Sequence, residues 1–331
     1  MERARDPARP LGEFERIERF FMPLAAPGAL GLRDDAALID GPDGQQLVLT
    51  ADAIVAGVHF LPDDPADLVA RKLLRVNLSD LAAMGAAPLG YLLTTALPRD
   101  HGDAWLEAFA RGLAADQEEF GIALLGGDST GTPGPASLSL TALGTLPRGR
   151  AIRRGGGKIG DSVFVSGTIG DAALGLKILT EGLEAPPADR SFLVGRYHLP
   201  QPRVALGQGL HGLAHAMLDV SDGLVGDLLH ICEVSRVGAV IEAALVPLSP
   251  AAAGLVEGRS DRFRGSILTG GDDYELLFTA GPEARADVLA LGRDLGIEIT
   301  EIGRLDAGAG VRVLDRDGAE MTIDAVGWRH F

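Results

Sequence analysis

The 331 residues, 46% of them apolar, suffice for two domains with separate cores and exclude a disordered chain. A formal charge of -16 argues against nucleic acid as a partner, since phosphate backbones are bound by basic surfaces, and allows an anionic substrate only with cations between. Cys232 stands alone, which excludes an internal disulfide and fits a reducing compartment. No apolar run reaches the ~20 residues of a membrane span. The three arginines of residues 1–10 lead into no signal-type apolar segment, so a cytoplasmic protein off the membrane is expected.

In chain order, residues 12–22 read as a short helix with Phe14, Ile17, Phe20 and Phe21 on one side, for core or partner packing. A glycine-led turn, 31–37, carries Asp34 and Asp35, a pair that as often marks solvated surface. The apolar run 47–51 reads as a strand delivering Asp52. A helix follows, with Asp64 expected as its cap and Pro65 in its first turn. Leu68, Val69, Leu73, Val76 and Leu81 recur along it at helical spacing, and Gly85 and Pro88 stop it. Asn77 and Asp80, three apart, share one side; a partly exposed helix face is the bland alternative. Residues 89–96 read as a strand and 103–120 as a helix. A short strand at 122–125 is expected to end at Gly126-Gly127-Asp128-Ser129-Thr130, before another at 137–143.

The glycine- and arginine-rich run 150–161 reads as a linker; its Gly-Lys pair lacks the remaining residues of a P-loop. A strand at 162–166 leads through Gly170-Asp171 into a helix ending near Leu179, and a helix spans 202–214. The strand 216–220 ends in Asp219-Val220-Ser221-Asp222-Gly223, where a helix to Val234 begins. Gly270-Gly271-Asp272-Asp273-Tyr274-Glu275 precedes a strand at 276–279, a helix at 282–295 and two closing strands near 297–302 and 311–314. The irregular alternation predicts an α+β architecture of two domains, divided as 1–148 and 149–331.

Carboxylates gathered by such a fold repel one another and need cations. Oxygen-only ligands, with no cysteine pair and no HExxH helix, point to magnesium; His211 and His215, four apart, lack that glutamate and read as surface residues. Magnesium shared between carboxylates and substrate phosphates makes a phosphate-handling site.

Six motifs in order carry a specific likeness: Gly31-Leu32-Arg33-Asp34-Asp35-Ala36-Ala37; Ala51-Asp52 with Val55-Ala56-Gly57-Val58-His59-Phe60-Leu61-Pro62; Val76-Asn77-Leu78-Ser79-Asp80; Gly126 to Thr130; Asp219 to Gly223; and Gly270 to Leu276. Together, and from Gly12-Glu13-Phe14 to His330-Phe331, the chain resembles the thiamine-monophosphate kinases. The resemblance implies the two-domain fold of aminoimidazole ribonucleotide synthetase, with an N-terminal mixed sheet for ATP binding and dimerisation and a C-terminal α/β domain. It implies a homodimer that phosphorylates thiamine monophosphate with ATP. It further implies magnesium ligands at Asp35, Thr50, Asp52, Asp80, Asp128, Asp219 and Asp222, with Asp52, Asp80, Asp128 and Asp222 catalytic. ATP contacts are implied at Gly127, Asp128, Arg154 and Ser221, and substrate contacts at His59, Asp272 and Trp328. Departures are Arg33, expected to pair with Asp34, Ala51 for a hydroxyl residue, Asp272 for glutamate, and Ala325 for an aromatic.

Direct transfer is the expected mechanism, because the attacking phosphate oxygen is already anionic and needs positioning and charge neutralisation rather than a strong base. His59 is read as orienting substrate, with general base as its other reading. A sister ATP-dependent enzyme of the fold and a noncatalytic nucleotide binder stand as alternatives; selenophosphate synthesis is disfavoured by the lack of an N-terminal cysteine.

Overall fold

The computed structural model describes residues 12–323 apart from 100, 258, 260–264 and 266. Its first sheet comprises β1 (Ala37–Asp40), β2 (Gln45–Val55), β3 (Ala87–Leu97), β4 (Ala123–Gly131) and β5 (Ser137–Pro147), in the order β1-β2-β5-β3-β4. Every pairing is antiparallel except that of β3 with β4. On β2 the even positions Val48, Thr50 and Ile54 are buried, as the two-residue period of a strand requires of one covered face. That cover is α2 (Ala66–Ala83), which packs on β2 and β5, with α3 (Asp103–Phe120) beside it. Leu73, Leu74, Leu78 and Leu81 of α2 meet Val48, Ile54, Leu138 and Leu140 of the sheet to form the first core.

The second sheet runs β11-β8-β10-β6-β9-β7, built from β6 (Ser162–Ser166), β7 (Ala214–Asp219), β8 (Gly238–Glu242), β9 (Leu276–Ala280), β10 (Ile299–Asp306) and β11 (Gly310–Leu314). On one face Leu224, Leu228 and Ile231 of α7 (Leu224–Ser235) pack against Val163, Val165, Leu218 and Ile241. On the other, Phe164 and Phe278 stack at 5.4 Å and share a core with Leu206, Val288 and the α2 residues Ala82 and Ala83. So α2 serves both sheets. That explains why it is buried nearly all round, including Lys72, Arg75, Asn77 and Ser79, where its sequence suggested a single apolar stripe.

Several expected boundaries move. The N-terminal helix divides into α1 (Glu13–Arg16), a π-turn over Ile17–Phe21 and a 3-10 turn, which leaves Phe20 and Phe21 exposed instead of in a core. Pro65, not Asp64, occupies the cap of α2; the Asp64 carboxylate accepts from Leu61 N–H at 2.8 Å and pairs with His198 Nε2 at 2.9 Å. The strand β4 continues through Gly126-Gly127-Asp128 to Gly131. The helix expected at 202–214 is only α6 (Val204–Gly209), because β7 already begins at Ala214. The helix expected from Asp171 to near Leu179 is α4 (Asp171–Thr180), whereas three elements were not anticipated: α5 (Pro187–His198), β8 and α8 (Pro250–Val256), segments whose burial is decided by neighbours distant in sequence. The helix α9 (Arg285–Leu295) precedes β10.

Candidate active site

Between β2, α2 and the end of β7 the chain gathers carboxylates in largely buried positions. Asp52 extends the covered row of β2 beyond Thr50, and Asp80 faces it from α2. Thr50 Oγ1 donates to Asp80 Oδ2 at 2.5 Å, and Asp52 N–H, beyond the last β1 pairing, donates to Asn77 Oδ1 at 3.2 Å. Asn77 is itself fixed by donating to Leu73 C=O at 2.9 Å. Asp35 arrives from the turn before β1, and Asp219 from the last position of β7. Asp35, Asp80 and Asp219 each bring a carboxylate oxygen within 4.8 Å of the others.

Burial, partly offset by Arg154, raises the Asp35 carboxyl above the usual range, and burial also raises Asp52. Burial together with Asp52, Asp219 and Asp35 raises Asp80 well above it, and burial with Asp35 pushes Asp219 up to about 7. Two buried oxygens, Asp35 Oδ2 and Asp219 Oδ2, accept no hydrogen bond among the described residues. Unsatisfied buried carboxylate oxygens are costly. A hard divalent cation would satisfy all of these at once, and the donors are oxygen only, so the residues fit magnesium.

The paired acids of the first motif have separate tasks. Asp34 accepts from the Arg153 guanidinium at 2.7 and 2.9 Å and from Arg154 N–H at 2.8 Å, tying down the segment between the sheets. Asp35 accepts from Arg154 Nη2 at 2.6 Å. Arg33 therefore does not pair with Asp34, as its sequence neighbour suggested; it lies 3.6 Å from Glu18.

The loop after β7 is held against the Gly270–Glu275 stretch: Asp272 N–H donates to Ser221 C=O at 2.9 Å and Tyr274 N–H to Val220 C=O at 2.8 Å. Asp272 and Tyr274 take left-handed backbone angles, φ 72° and 51°, strained for non-glycine residues. Buried Glu275 anchors the stretch by accepting from Arg196 and Arg203. Asp227, one turn into α7, accepts from Asp222 and Gly223 N–H at 3.1 Å each and so sets the Ser221-Asp222-Gly223 turn.

His59 and Asp272 meet on one cation. Buried Lys72 donates to His59 C=O at 3.1 Å and to Asp272 Oδ2 at 2.9 Å. His59 Nδ1 accepts from Val55 N–H at 3.0 Å, so the neutral ring carries its hydrogen on Nε2. Gly127 and Asp128 lie apart from the three-carboxylate cluster. Asp52, Leu140, Leu93 and Gly127 stand in one row, three strand spacings across, about 14 Å. Trp328 and Ala325 lie outside the described residues. His211 and His215 are half-buried and do not share a site: His211 Nε2 meets Gly85 C=O at 2.8 Å and His215 Nδ1 meets Asp161 at 2.9 Å.

Two family descriptions match this chain, AIR synthase related protein, N-terminal domain, over residues 33–146, and its C-terminal domain over 158–316. Thiamine-monophosphate kinase of Caulobacter vibrioides is 43% identical over 98% of this chain and 92% of its own, and that of Escherichia coli K12 is 44% identical over 97% and 98%. The chain belongs to the thiamine-monophosphate kinase family. Among solved structures, thiamine-monophosphate kinase of Stenotrophomonas maltophilia K279a is 44% identical, with TM-score 0.78 over 87% of this chain and 90% of that one. AaThiL complexed with AMPPCP and TMP is 32% identical, with TM-score 0.84 over 97% of both. The family's two-domain α+β fold is the one described above.

Lys72 and Asp227 escaped the sequence reading. Lys72, four residues from both Leu68 and Val76, and Asp227, three after Leu224 and four before Ile231, stand where helical spacing assigns the core, and a polar residue there was the available signal.

Proposed function

We infer that the protein transfers the γ-phosphoryl group of ATP to thiamine monophosphate, giving thiamine diphosphate and ADP. The observation that carries this is the meeting of Asp35, Asp80 and Asp219, from both sheets, in a member of this kinase family. These three, with Thr50, Asp52, Asp128 and Asp222, are our candidate magnesium ligands. Bound there, magnesium supplies charge neutralisation on the phosphate oxygens. Gly127, Asp128, Arg154 and Ser221 are assigned to ATP. Arg154, already bonded to Asp35, brings a fixed positive charge to the edge of the cluster. His59, through its Nε2–H, and Asp272 are assigned to thiamine monophosphate, and Trp328 joins them on the resemblance. With an anionic nucleophile the protein positions two phosphate chains in line and withdraws no proton.

The reading includes a homodimer formed through the first sheet, domains divided at 148/149, and a cytoplasmic location, where ATP is at hand. The dimer is supported by β4, which is exposed along its whole length and carries Leu124 and Leu125 beside exposed Leu89 and Leu92 of β3. Incubation of the purified protein with ATP, magnesium and thiamine monophosphate tests the reaction: thiamine diphosphate and ADP form in equal amounts. ATP binding without ADP release would leave a nucleotide-binding protein.

A further inference from the structure

We propose that Lys72 is a positioning residue for the thiamine-phosphate pocket, a buried ammonium that holds the substrate contacts of the two halves of the molecule in register. The proposal rests on the reading of His59 and Asp272 as substrate contacts. Lys72 lies on α2 with its side chain 3% exposed, yet its partner Asp272 is 30% exposed. An ammonium has three donors. One goes to Asp272 Oδ2 at 2.9 Å and one to His59 C=O at 3.1 Å, and the nitrogen sits 4.0 Å from the centroid of the Tyr197 ring on α5. The cation is thus fully engaged by three segments, the 55–60 turn of the first sheet, the Gly270–Glu275 stretch before β9, and α5.

A buried lysine is costly, and it persists only where its partners compensate it. Here the compensation fixes two things at once. The His59 carbonyl and its ring, the latter tied through Nδ1 to Val55 N–H, are set relative to α2. The Asp272 carboxylate, on a residue with a left-handed backbone, is set relative to the same helix through its bond to Lys72. Since α2 also carries Asp80, one helix gauges the distance from the candidate metal cluster to the substrate contacts. Without the ammonium, Asp272 turns to water and that distance is no longer held.

Steady-state kinetics of Lys72→Met tests this. The expected result is a KM for thiamine monophosphate raised about tenfold or more, the loss of one charge-assisted bond, with the KM for ATP changed by less than about twofold. Asp272→Asn raises the same KM, and the double variant raises it by less than the product of the two single effects, because the two changes share the Lys72–Asp272 bond. Should Lys72→Met fail to fold, Lys72→Gln, which keeps a donor without the charge, carries the same expectation. Equal rises in both KM values, independent effects in the double variant, or an unchanged KM for thiamine monophosphate where Asp272→Asn raises it, each overturn the role of Lys72. If Asp272→Asn and His59→Ala both leave that KM unchanged, the pocket reading itself falls and the proposal with it.

Discussion

Asp80 sits where three other carboxylates raise its proton affinity, and its Oδ2 accepts from Thr50. Asparagine has the same shape and can still accept that bond, so Asp80→Asn removes charge and leaves the packing. We expect turnover to fall about 100-fold or more, as for loss of one electrostatic stabiliser, while the melting temperature without metal is unchanged or higher, since a buried repulsion is gone. Near-normal ADP release from the variant would remove the cluster from the reaction. Asp219 gives the matching pH prediction. Its carboxyl holds a proton to about 7 in the folded chain against an ordinary 3.8. Between those values the folded state binds the extra proton, so this group's contribution to stability is full below the lower value and lost as pH rises through the upper one. On the proposed assignment a divalent cation takes the proton's place, so magnesium is expected to raise the melting temperature more at about pH 8 than at about pH 5.5, and Asp219→Asn to narrow that difference. Equal shifts at both pH values in the native protein would mean that magnesium binds elsewhere.

At the scale of elements, Gly127 shows what a single strand demands. It has φ 151°, and a Cβ there would lie 1.7 Å from Leu93 C=O on β3. Gly127→Ala forces β3 and β4 apart and is expected to cost about 1–3 kcal/mol in denaturant unfolding, whereas Gly131→Ala, whose Cβ meets nothing nearer than Leu97 C=O at 3.9 Å, is expected to stay within about 0.5 kcal/mol. Equal losses from both would mean that the close approach at Gly127 does not matter. The glycines of this strand read from sequence as a stop, because glycine weakens strands; only the neighbouring backbone reveals that they let the strand continue. The same line divides the site. Asp52 on its strand and Asn77 with Asp80 on one side of the helix were legible because strand patterning and the i, i+3 rule are local, whereas Thr50 came only with the family resemblance. The sorting of Asp34 from Asp35 was not, since it depends on Arg153 and Arg154 on a segment beyond the first sheet. Asp64 looked like a helix cap for local reasons and was claimed instead by His198 on α5.

For the whole molecule the question is what completes the first sheet. One face is covered by α2 and α3, and β3 and β4 leave Leu89, Leu92, Leu124 and Leu125 exposed. The edge strand β4 pairs only with β3 among the described residues, and it also carries Gly127 and Asp128, assigned to ATP. An apolar edge is an aggregation hazard for a monomer, so the occupant we propose is a second copy of the sheet, which would both hide it and steady the residues assigned to ATP. Light scattering on the eluting protein is then expected to give twice the 34.4 kDa chain mass. Leu92→Glu combined with Leu125→Glu is expected to place charges in that exposed apolar patch and yield single chains, with the KM for ATP raised more than that for thiamine monophosphate, because β4 lies about 14 Å along the sheet from β2 and the cluster beside it. A native protein that elutes as one chain, or a charged variant that remains paired, would mean that this face is not where two copies meet.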